Sequence, residues 1–269
     1  MSRLIDYDAQ FREYFDNWYE LNRERYTKPE QIEEKLHSLY DEWAAKERAE
    51  LDKMDIKQLN ELFMQYAECG EVPDLVCEAI VRKGREGEKG LYELYRAGML
   101  STPAVITIIN LLAEMKSSLP YADYMALLSQ SREENEIAEA AAEALSEAPK
   151  EFFNDILSAF ENARSVWARE LLMNALVHIK ADYRLYDGLH QLLESSDNTA
   201  FIAAMMAESG IERCLDDLKD LEYSRDINYI EYVEICNAIE ALGGETARDR
   251  QFDGDPYYEM MKSPDAGIN

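Results

Sequence analysis

The stretch NEIAEAAAEALSEAPKEFFNDILSAFENA, residues Asn135–Ala163, decides the fold. Its first half is alanine-rich, and Ala141, Ala144 and Ala148 fall at i, i+3 and i+7, on one face of a helix. Small side chains on that face let a neighbouring helix approach closely. Pro149 follows, where proline is tolerated, in the first turn of a second helix. Phe153, Ile156, Leu157 and Phe160 give the second helix an apolar stripe. The unit reads helix, proline turn, helix.

The same layout recurs outward from this stretch. Segments beginning at Thr102, Glu133, Arg164, Asp197 and Asp226 each carry a small residue near the end of the first helix: Ala113, Ala144, Ala175, Ala207 and Ala238, spaced 31, 31, 32 and 31. Three residues earlier stand Asn110, Ala141, Leu172, Ala204 and Ile235, and four later Ser117, Ala148, Ile179, Ile211 and Leu242. The run VWARELLMNALVHI is followed by Leu185, Leu189, Leu192 and Leu193, and the last second helix carries Ile211, Leu215, Leu218 and Leu221. Val105–Ile109 has strand composition, but the register makes it a buried first helix, since propensity is a weak prior. Helix starts are expected at Thr27, Asp55 and Ser131, each with Glu or Gln three residues later, and at Pro73, Pro103 and Pro120. Breaks are expected at Gly70, Gly84, Gly98, Gly210 and Gly243-Gly244, with Gly84–Gly90 forming a turn between helices.

Two helices per repeat, with an Ala-Leu pair closing the first at Ala144-Leu145 and Ala175-Leu176, resemble the short bacterial HEAT-like repeats of phycobilin-lyase-like proteins. At Ala113-Glu114, Ala207-Glu208 and Ala238-Ile239 the pair degenerates. The resemblance covers residues 55–242 and implies an all-α, right-handed α–α superhelix (a HEAT-like, armadillo-type solenoid) of about six helix pairs. Residues 1–50 read instead as two longer helices, over 4–26 and 29–49, rich in Phe11, Tyr14, Phe15, Trp18, Tyr19, Tyr40 and Trp43. They suit the atypical helical cap that ends a solenoid. The expected organisation is a cap over 1–50, repeats over 51–244, and a polar tail over 245–269.

Composition limits function. The 269 residues include 55 acidic against 28 basic side chains, a net charge of −27, which repels nucleic acid phosphates and anionic membranes. Only 11 Gly and 7 Pro occur, as an all-helical chain requires. The opening MSRLIDYDAQFREYF lacks the apolar run of a signal peptide, and no stretch approaches the ~18 apolar residues of a membrane span. Cys69, Cys77, Cys214 and Cys236 form no C-x-x-C pair, so buried thiols in a reducing cytoplasm are expected.

Chemistry-bearing motifs are sparse. Glu34-Lys-Leu-His37 has the E-x-x-H spacing of di-iron helices, but its only partial counterpart, Asp187-Gly-Leu-His190, lies in another repeat. His178 ends a first helix, where a structural role is expected. No phosphate-binding, nucleophile-elbow or zinc-protease motif occurs, and catalytic, cofactor and metal sites are not expected. On successive second helices stand Asp123, Asp155, Asp187 and Asp217, spaced 32, 32 and 30, with Tyr121, Tyr124, Tyr183, Tyr186 and His190 nearby. Stacked repeats would align them as a carboxylate ladder on a concave face. The sequence therefore points to a non-enzymatic scaffold or adaptor, binding a protein or peptide with a basic surface through Asp123, Tyr124, Asp155, Tyr183, Asp187, His190 and Asp217. A cofactor-handling or enzymatic role is what the bilin-lyase-like resemblance implies as the alternative. Nothing in the sequence specifies an oligomeric state.

Overall fold

The computed structural model describes residues 4–26, 28–224, 226–247 and 250–262. These residues are all-helical, without strands, and consecutive helices pack against their neighbours in chain order. The chain divides into two compact units, Met1–Leu119 and Pro120–Asn269.

Unit 1 holds α1 (Tyr7–Asn22), α2 (Pro29–Leu51), α3 (Ile56–Cys69), α4 (Asp74–Arg82), α5 (Arg85–Ala97) and α6 (Thr102–Glu114). Helix α1 lies on α2 through Phe11, whose ring centroid is 5.1 Å from Tyr40 and 5.3 Å from Trp43. The core beneath comprises Leu39, Leu59, Phe63, Val76, Ile80 and Leu91, each within 2% of full burial, so each contributes about 1.5–3 kcal/mol of transfer free energy. Asp55 and Gln58 close the expected capping box of α3 in both directions, at 2.9 Å each. The Thr27 start lies outside the described residues. Arg48 donates to Glu78 at 2.8 Å, tying α2 to α4; that bond holds the Glu78 carboxyl below its usual range and Arg48 above its own. Val105–Ile109 is helical, with Ile108 and Ile109 fully buried.

The expected turn over Gly84–Gly90 is corrected. Only Gly84, with φ +57, breaks the chain, and Gly87 and Gly90 lie buried inside α5. A Cβ at Gly87 would sit 2.1 Å from the Ile80 carbonyl oxygen. The glycine is there so that α5 can touch the α4 backbone, a contact that composition alone does not distinguish from a loop.

Unit 2 holds α7 (Tyr121–Gln130), α8 (Glu136–Ser146), a 3-10 turn (Lys150–Phe152), α9 (Phe153–Asn162), α10 (Val166–Ile179), α11 (Leu185–Ser195), α12 (Thr199–Ser209), α13 (Cys214–Glu222), α14 (Tyr229–Ala241) and α15 (Pro256–Lys262). The first helices form one layer, with α8 on α10, α10 on α12 and α12 on α14. The second helices, α7, α9, α11 and α13, form the other. Each first-layer helix opens on a polar cap whose side chain accepts a backbone N–H: Asn135, Ser165, Asn198 and Asn228. Such a cap contributes about 1 kcal/mol. Asn135, not the expected Ser131, starts α8.

The buried seam of the first layer corrects the small-residue row. Three rows run in phase through all four helices: Ala141, Leu172, Ile202, Ile235; Ala144, Ala175, Met205, Ala238; and Leu145, Leu176, Met206, Ile239. Their spacings are 31, 30 and 33. Met205, rather than Ala207, takes the small-residue place in α12, while Ala207 is half-buried and Ala204 is exposed. The reason is local. The seam residue lies 9, 10 and 10 places after the cap in α8, α10 and α14 but only 7 after Asn198 in α12, so α12 starts almost one turn late. Asn110 is exposed and Ala113 half-buried in α6.

The tail folds back on α13 and α14. Glu222, 2% exposed, accepts from the Ala247 N–H; Tyr232 donates to the Ala247 carbonyl; Arg250 donates to the Glu222 carbonyl. Burial, followed by the hydrogen bond with Cys236, raises the Tyr232 phenol. The Phe252 ring packs tilted against Tyr232 at 5.0 Å and edge-to-face against Tyr229 at 5.7 Å.

Gly87→Ala should lower the unfolding free energy by about 1–2 kcal/mol in urea denaturation, because overpacking outweighs the ~1 kcal/mol gain in helix propensity. The exposed neighbour Lys89→Ala should stay within about 0.5 kcal/mol of the wild type.

Candidate interaction face on the second-layer helices

The second-layer helices carry the positions of the expected ladder, and polar contacts run from each helix to the next. Ser129 of α7 donates to the Ala159 carbonyl of α9 at 3.3 Å. Arg184, the N-cap of α11, donates to Asn154 of α9 at 3.0 Å. His190 Nδ1 of α11 lies 3.3 Å from Asp217 Oδ1 of α13. Helix α11 also approaches α9 at Gly188, where an added Cβ would come within 2.9 Å of the Phe160 ring. The links span 30, 30 and 27 residues, near the repeat length.

The loop between α10 and α11 is locked from below. Asp182, with a side chain 6% exposed, accepts from the Arg184 backbone and from Arg184 Nε and Nη2 at 2.9–3.1 Å, and from Lys180 Nζ at 2.9 Å. The Arg184 hydrogen bonds, foremost, and then Lys180 hold its carboxyl far below the ordinary aspartate range. Both cations also cover the Phe153 ring of α9, at 5.4 and 5.2 Å from its centroid. Sequence reading missed this lock. Its signal, three charged residues within five positions at a helix start, is common in a highly charged chain.

Higher on the face, Tyr186 and His190 stack at 5.8 Å and Arg213 lies 4.0 Å over the Tyr186 ring. Partial burial and the adjacent Asp217 carboxylate raise the Tyr186 phenol. His190 Nε2 lies 3.7 Å from Glu194, so both ring nitrogens face carboxylates. That geometry sets the ring between α11 and α13, with Nδ1 buried and, among the described residues, without a hydrogen-bond partner. The i, i+4 spacings of Tyr186 to His190 and Arg213 to Asp217 are the sequence signal for this cluster.

The structure treats the sequence-derived residues unequally. It brings together His190 and Asp217. Asp155 and Asp187 are exposed on α9 and α11, and Tyr183 is 82% exposed before α11. Asp123 is half-buried on α7. Tyr124 is corrected: it is 1% exposed, inside the core, because the α7 stripe that includes Leu128 turns it inward. The E-x-x-H motif does not assemble; His37 is exposed beside Asp41, and among the described residues no group of three or more His, Cys, Asp or Glu side chains could hold a metal ion. No helix of the described residues is long and apolar enough to cross a membrane. No family model matches the chain, and no curated protein or solved structure is significantly similar to it.

The Asp182 lock gives a pH prediction. The folded carboxyl is lowered from its ordinary 3.8, so its stabilisation is complete above that value and fades as pH falls below it. Asp182→Asn should therefore melt below the wild type at neutral pH, and the gap between the two melting curves should close as pH is taken below about 4.

Proposed function

We propose that the chain is a non-enzymatic binding scaffold, built in unit 2 as a right-handed HEAT-like superhelix of helix pairs, that holds a basic protein segment along its second-layer helices in the cytoplasm. One observation carries the reading. Helices α7, α9 and α11 contain no lysine or arginine, and α13 contains only Lys219. Asp155, Glu161, Asp187, Glu194, Asp216 and Asp220 are exposed along α9, α11 and α13. Beside them, Arg184 is drawn onto Asp182, Arg213 onto the Tyr186 ring, and Arg169 of α10 onto Gln191 of α11 and the Phe160 ring of α9. A row of carboxylates that outnumbers the cations beside it attracts a basic segment and repels nucleic acid and anionic lipid.

The scaffold reading is further supported by what the layer lacks. First-layer helices seal one another, and second-layer helices touch through Ser129, Arg184 and His190. The exposed carboxylates are what remains for a partner.

The test is charge reversal with a matched control. Fluorescent poly-lysine should bind the double variant Asp155→Lys/Asp187→Lys about tenfold more weakly than the wild type, as two exposed ion pairs predict. Glu61→Lys/Glu93→Lys, with the same net charge but in unit 1, should lose about twofold or less. Equal losses would mean diffuse attraction and would remove the assigned face. Raising the salt to about 0.5 M should abolish the difference.

A further inference from the structure

A second site stands in unit 1, independent of the reading of unit 2. A cavity of about 460 Å³ opens between the N-terminus of α1, α2, and the α3–α4 connection. Its inner wall is aromatic and apolar: Tyr7, Trp43 and Tyr66, each under 8% exposed, with Val72 and Leu75. Its rim carries four exposed carboxylates, Asp6, Asp8, Glu71 and Asp74, and among the described residues no lysine, arginine or histidine lines it. Volumes of about 300–1,000 Å³ are those of small-ligand sites.

The wall is fixed and neutral. Tyr66 donates its hydroxyl proton to the Ile5 carbonyl at 2.8 Å, so in the hydrogen bond between the two phenols Tyr7 donates to the Tyr66 oxygen. Ring contacts of 6.4 Å between Tyr7 and Trp43, 6.3 Å between Tyr7 and Tyr66, and 5.5 Å between Tyr40 and Trp43 hold the aromatics against one another. Burial raises the Tyr7, Tyr40 and Tyr66 phenols, so all stay protonated at neutral pH.

Charge at the rim decides the ligand class. Asp6 caps α1 by accepting from Ala9, Asp8 lies in the first turn of α1, and Asp74 lies in that of α4. Each helix N-terminus carries roughly half a positive charge, so among the described residues four carboxylates against two N-termini leave about −3 at the mouth. Among the described residues, the nearby guanidinium of Arg48 is engaged by Glu78. Among the described residues Asp8, Glu71 and Asp74 have no cationic partner. Neutral aromatic faces below an uncompensated acidic rim are the chemistry that recognises an ammonium group on an apolar chain, through cation–π attraction and ion pairing together.

We propose that this cavity is a binding site for an aliphatic alkylammonium group, its carbon chain lying on Tyr7, Trp43 and Tyr66 and its charges meeting Asp8, Glu71 and Asp74. The same chemistry comes from a free polyamine or from a lysine side chain of a partner.

The experiment titrates the whole chain by calorimetry with three probes at constant ionic strength: spermidine, a short capped peptide with one central lysine, and an uncharged aliphatic diol of spermidine's length. Cys69 lines the mouth and is exposed, whereas Cys77 and Cys214 are buried and Cys236 is half-buried, so slower maleimide labelling of Cys69 reports occupancy. Saturable binding of spermidine or of the lysine peptide, with protection of Cys69, is the expected result, and the probe that binds identifies the source. Glu71→Gln/Asp74→Asn, at two exposed positions, should weaken it about tenfold, and Glu61→Gln/Glu93→Gln, equal in charge but off the cavity, less than twofold. The proposal is overturned if neither amine saturates, if both variants lose equally, or if the diol binds as well as spermidine.

Discussion

Everything in unit 2 depends on the first-layer seam. A helix with an alanine-rich or mixed face cannot bury that face alone, so α8, α10, α12 and α14 must present the same side to each other in succession. The constraint acts on phase and not on length. Rows through Ala144, Ala175, Met205 and Ala238 stay in register although the intervals are 31, 30 and 33. The slack is absorbed at the helix starts, where Asn198 sits almost one turn nearer the seam than its counterparts. Polar caps at Asn135, Ser165, Asn198 and Asn228 tolerate that slack, because a cap satisfies the first free N–H groups wherever the helix begins.

This explains what was legible in the sequence and what was not. Apolar periodicity reveals which residues are buried, so the helices, the Asp55 capping box, and the helical state of Val105–Ile109 could all be read. Choosing the right member of a row is harder. Ala207 continues the alanine spacing, yet Met205 occupies the place, because a late start shifts the helix under an unchanged spacing rule. Gly87 misleads for a related reason. Glycine at a close helix contact and glycine in a turn look alike in one dimension, and only the Ile80 carbonyl at 2.1 Å from a would-be Cβ separates them. On the candidate face, the aspartate row was visible as a spacing, but the fate of each member was not. Tyr124 goes inward and Asp217 engages His190, outcomes set by the rotation of α7 and the approach of α11 to α13.

A net charge of −27 opposes compaction, and the structure meets it locally. Three of its buried or half-buried carboxylates are held by specific donors: Asp182 by Arg184 and Lys180, Glu222 by the Ala247 N–H, Glu78 by Arg48. Those pairings consume scarce cations. With 28 basic residues against 55 acidic ones, most exposed carboxylates must go without a partner. Where they do so therefore carries information: the outer side of α9, α11 and α13, and the mouth of the unit 1 cavity.

These two places differ in kind. On the second-layer helices the carboxylates lie on a surface whose aromatic groups are exposed, as Tyr183 is, or already covered, as Tyr186 is by Arg213. Attraction there is long-range, weak per contact and screened by salt, which suits an extended partner with many charges. At the cavity the carboxylates surround buried rings, so a cation there would offset its lost hydration with aromatic faces and ion pairs together. One acidic composition thus yields two distinct electrostatic settings, separated by whether the charge lies over an open helix face or at the mouth of a cavity with a buried aromatic wall.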